Sequence, residues 1–168
     1  MKQLGNCRLL LLIGVTMPLC SEPLNSIEGF STLDETSKSY VRAYDKRIGY
    51  CRMESRAGNP IPVEAKLLSF TLKKQQAIIF YLWQVTRKQC FEDSLNQLVK
   101  QLKLDPNGDK YILFLKRMDV FNEITISSEL IDEELTKEEW AYVKELKRIY
   151  YQPFDIMEAA NLIEEIKN

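Results

Sequence analysis

Residues 72–90 read LKKQQAIIFYLWQVTRKQC, and the conformation assigned to this stretch decides the fold class. Ala77 to Val85 is apolar apart from Gln84, and Ile78, Ile79, Phe80 and Tyr81 have the branched or aromatic side chains that suit a core strand. The flanks favour a helix instead. Lys73 to Gln76 and Thr86 to Gln89 continue a helical register, while Leu72, Ile79, Trp83 and Cys90 fall at heptad-like spacing. A helix that is apolar nearly all round belongs in an interior. A membrane span is excluded, because Lys74 and Arg87 leave too few uncharged residues between them. Thr71 or Ser69 is the candidate cap at its start.

Downstream, Leu95, Leu98, Val99 and Leu102 extend the helical pattern, either unbroken or after a kink near Phe91 to Ser94, and Asp105, Pro106, Asn107 and Gly108 end it. Asp105, Asn107 and Asp109 have the spacing that opens a calcium loop. The rest of such a loop is missing, with Lys110 where glycine is needed for the turn and Lys116 where a bidentate Glu should close the shell. The stretch therefore reads as a turn with Asp109 as helix cap. Tyr111 to Phe121 fits a further helix, and Ile124 to Ser128 reads as irregular or briefly extended. Thr136 with Glu139 forms a capping box ahead of Trp140, Val143, Leu146, Ile149 and Tyr150 at helical spacing. Pro153 stops that helix. Asp155 with Glu158 starts a last one, with Ile156, Ala159, Ala160, Ile163 and Ile166 on its buried side.

Upstream, Thr32 with Glu35 suggests another capping box, and Leu33, Tyr40, Val41, Tyr44, Ile48 and Cys51 share one face of a helix over 32–53. Gly58, Asn59, Pro60 and Pro62 break the chain before a short helix around Ala65 to Leu68. The expected architecture is all-α: a single compact helical domain of about five to six helices over 31–168, preceded by a flexible lead-in at 22–30.

Residues 1–21 are expected to be a cleaved signal peptide. Lys2 and Arg8 supply its positive start, Leu9 to Val15 its apolar run, and Ser21 a small residue at the cleavage point. A lipoprotein anchored through Cys20 is the alternative, although Met17, Pro18 and Leu19 lack the small side chains that precede a lipidated cysteine. Without the signal, two of the four cysteines remain, Cys51 and Cys90, and an even pair in an exported chain is expected to form one disulfide. In the chain-entropy model a loop of this length stabilises the fold by about 4 kcal/mol.

Composition narrows the function. The chain has 168 residues, a formal net charge of -1 and no His. The balanced charge supplies no field to draw in nucleic acid, and the missing imidazole removes the commonest general base and metal ligand. No phosphate-cradling glycine loop, nucleophile elbow or metal-ligand spacing occurs, so no cofactor and no metal are expected. Charge is uneven, however. Residues 22–128 carry 16 basic and 13 acidic side chains, whereas 129–168 carry 5 and 11. The acidic segment centres on Glu133, Glu134, Glu138 and Glu139, which with the aromatics Tyr150, Tyr151 and Phe154 are the candidate contacts to a protein partner; a solvated helix face, with carboxylates complementing the helix dipole, is the plainer reading of the acids, and packing under the last helix that of the aromatics. The expected role is that of an exported, periplasmic or secreted, non-catalytic interaction protein such as an inhibitor, immunity factor or adaptor. The alternative is a hydrolase working through an Asp/Glu pair.

Overall fold

Leu72–Leu102 is one unbroken α-helix of 31 residues, α3, and the other helices are arranged along it. The computed structural model describes residues 29–122, 124 and 135–167. Among these it has six α-helices and no strand: α1 (Glu35–Glu54), α2 (Ala65–Leu68), α3, α4 (Gly108–Arg117), α5 (Lys137–Ile149) and α6 (Ile156–Lys167). The predicted signal peptide, Cys20, residues 22–28 of the lead-in, and all but Ile124 of the stretch 124–128 lie outside the described residues.

At 1.5 Å per residue α3 is roughly 46 Å long, too long for one small core to surround. Its two ends enter different cores. Ile78, Ile79 and Leu82 pack with Leu67 of α2, Tyr142, Val143 and Leu146 of α5, Phe154, and Ala159 and Ile163 of α6. Leu95, Leu98 and Leu102 pack with Leu33, Val41 and Tyr44 from α1 and its entry, and with Tyr111 and Leu115 of α4. The apolar character all round α3 is thus the sum of faces serving different neighbours. Thr71 caps its start, its side chain accepting from the Lys74 N–H.

The expected disulfide is present. Cys51, buried near the end of α1, is joined to Cys90 with Cα atoms 5.9 Å apart. Cys90 falls in the middle of α3, because that helix runs on to Leu102 without the kink that Phe91 to Ser94 left open.

Two helix starts differ from expectation. Asp34, not Thr32, caps α1: its Oδ1 accepts the Ser37 N–H at 2.6 Å, while the Thr32 hydroxyl donates to the Gly29 carbonyl inside a preceding 3-10 turn. The second is at α4, where Asp109 lies within the first turn and Asp105 does the binding. Asp105 Oδ1 accepts the Asn107 N–H at 2.8 Å and Oδ2 accepts the Asp34 N–H at 2.9 Å. One buried carboxylate therefore closes the α3–α4 turn and fixes the start of α1. Burial works against the charge of Asp105, but these two N–H donors, with the Ser37 hydroxyl and the Lys38 ammonium, outweigh it and hold the carboxyl below its ordinary range. Gly108 completes the turn, since a Cβ there would sit 1.9 Å from the Leu102 carbonyl oxygen.

Candidate interaction surface

The capping box at α5 is formed as expected. Glu139 N–H donates to the Thr136 hydroxyl, and the Thr136 N–H donates to Glu139 Oε2 at 2.7 Å. The same carboxylate also receives Lys74 Nζ from α3 at 3.0 and 3.1 Å. Burial opposes its ionisation, yet the Thr136 N–H and the Lys74 ammonium hold Glu139 below its ordinary value. Glu139 is therefore engaged inside the fold. Glu138, one position earlier, is exposed in the first turn of α5. Glu133 and Glu134 lie outside the described residues.

The predicted aromatic contacts separate in the same way. Phe154 is fully buried. Tyr150 is half-buried and its hydroxyl donates to Glu64 Oε1 at 2.8 Å, while Tyr142 donates to Glu64 Oε2 at 3.3 Å. Burial and then the Glu64 carboxylate push both phenols up to about 12. These bonds tie the entry of α2 to α5. Tyr151, the next residue, is 65% exposed.

Asn59 joins the segment after Tyr151 to the end of α1. Its amide Nδ2 donates to the Glu54 carbonyl at 2.9 Å and to the Pro153 carbonyl at 2.7 Å. Both hydrogens of one NH₂ group are thus spent joining the end of α1 to the connection between α5 and α6. Three further large apolar side chains are exposed on the segments so joined: Tyr50 at 44%, Met53 at 66% and Met157 at 53%. Scattered exposed apolar residues are ordinary on a protein surface, but these four lie on chain segments that one amide joins. Sequence reasoning singled out Tyr151 but not Tyr50, Met53 or Met157, and Asn59 read only as part of a chain break.

The embedded carboxylates Glu64, Asp105 and Glu139 each accept hydrogen bonds from groups that hold helices together. Among the described residues, no group of three or more His, Cys, Asp or Glu side chains stands ready to hold a metal ion, and no helix is long and apolar enough to cross a membrane. No family model matches the chain, and neither the curated proteins nor the solved structures contain a match.

Proposed function

We propose that this is an exported helical protein that acts through contact with a protein partner rather than by catalysis, in the manner of an inhibitor, immunity factor or adaptor. The corner formed by Tyr50, Met53, Tyr151 and Met157 carries the reading, since tyrosine and methionine are enriched in interface cores. The corner is rigid, being clamped by Asn59 and lying close to the Cys51–Cys90 bond, so little ordering entropy is lost when it is covered. The disulfide and the signal-like amino terminus support a location outside the reducing cytosol.

The test is site-specific photo-crosslinking in the organism that makes the protein. A photoreactive phenylalanine analogue in place of Tyr151 is expected to give one discrete adduct, lost when Met53→Asp is added. The same analogue at Leu113, half exposed on α4, is expected to give none. No adduct at position 151, or the same adducts at both positions, would refute the proposal.

A further inference from the structure

We infer that the occupant of this corner is a second copy of the same chain, docked about a twofold axis so that α1 of each copy lies along α6 of the other. The inference rests on the corner being a protein contact, and names the partner.

The outward residues of the two helices carry it. On α1, Arg42, Lys46, Tyr50 and Met53 succeed one another at steps of four, four and three, with Arg47 beside Lys46, and all five are exposed. This makes a stripe with three cations that ends in an apolar tip at the C-terminal end of the helix. On α6, Met157, Glu158, Asn161, Glu164 and Glu165 are exposed and share one face, while Ala159 and Ile163 face the core. That stripe has three carboxylates and begins with an apolar tip near the N-terminal end. The Asn59 clamp joins the end of α1 to Pro153, just before α6 begins. Both apolar tips therefore belong to one corner, from which a basic stripe leaves on one helix and an acidic stripe on the other.

A surface with both complementary halves about one apolar centre fits its own copy. In an isologous contact each basic stripe meets the partner's acidic stripe and the apolar corners meet at the axis, so one operation satisfies every group twice. Two of the cations are already restrained: the Arg42 guanidinium lies 5.6 Å from the centre of the Phe30 ring, and that of Arg47 lies 4.9 Å from the Tyr50 ring while its Nε donates to the Cys90 carbonyl at 2.7 Å, which limits the freedom lost on pairing.

A charge-swap experiment tests this on the oxidised, processed protein by sedimentation equilibrium, with circular dichroism confirming that every variant keeps its helices. The parent is expected to be a dimer at about 100 µM, its dissociation constant rising roughly tenfold from low to high salt. The chain carrying Arg42→Glu and Lys46→Glu is expected to be monomeric, as is the chain carrying Glu164→Lys and Glu165→Lys. Mixed in equal amounts, they are expected to restore a one-to-one complex, because each stripe then again faces its opposite. A monomeric parent, a dimer indifferent to the swaps, or folded variants that fail to combine would each overturn the second-copy inference. A monomeric parent that still gives a discrete adduct to a different protein from position 151 would leave the proposed function standing. Absence of any adduct would remove both.

Discussion

The N-terminal part of α3, Lys74 to Thr86, is enclosed by α2, α5, α6 and Phe154, and polar contacts join these segments: Lys74 with Glu139, Glu64 with Tyr142 and Tyr150, and Gln75, whose amide donates to the Leu68 and Phe70 carbonyls. The C-terminal part, Leu95 to Leu102, is enclosed by α1 and α4 and secured by the Cys51–Cys90 bond, the Asp105 carboxylate and the fit of Gly108. The first core is joined by several bonds between side chains far apart in sequence, each offset by the desolvation of its members. The second relies on a covalent link that acts chiefly by restricting the unfolded chain. One helix thus runs through two regions that should respond to different perturbations.

Removing the disulfide is expected to separate them most. Cys51→Ala with Cys90→Ala should lower stability by about 4 kcal/mol. Hydrogen exchange should show amides of α1 losing protection well before those of α5; uniform loss would mean that the two cores open as one unit. Gly108→Ala comes next, at about 1–3 kcal/mol, because its Cβ must displace backbone rather than a flexible side chain. Gly49→Ala is its control. Nothing lies within 4 Å of a Cβ at that exposed site inside α1, so denaturant unfolding should show a gain of up to about 1 kcal/mol.

The smallest effect is expected in acid. Asp105 and Glu139 are both held below their ordinary carboxyl values in the fold, so each contributes stability above the unfolded-state pKa of ~4 that is lost as pH falls toward its lowered folded value. Asp105→Asn and Glu139→Gln should each cost about 1 kcal/mol at neutral pH and little at the acid end. Hydrogen exchange at pH 5 and pH 3 should place the first loss in the core with α1 and the second in the core with α5.

Much of the helical arrangement was readable because its signals are local. The flanks of Ala77 to Val85 identified α3, Thr136 and Glu139 marked the start of α5, and Asp155 marks α6 by accepting the Met157 and Glu158 N–H groups as expected. Local signals failed where two satisfied the same rule. Thr32 with Glu35 and Asp34 with Ser37 both resemble a helix start, and Asp105, 71 positions along the chain, takes the Asp34 N–H in the arrangement adopted. The proposed contact surface was hidden for the same reason. Glu139 and Glu138 look alike in sequence until Lys74 arrives from 65 positions away, and nothing in Gly58, Asn59 and Pro60 says that the asparagine will meet Pro153.

Peptide mapping of the protein recovered from its native compartment most directly tests the central claim of an exported chain stapled between α1 and α3. The predicted result is an amino terminus just after residue 21 together with a Cys51 peptide covalently joined to a Cys90 peptide. An intact Met1 terminus with both of these thiols free would contradict it.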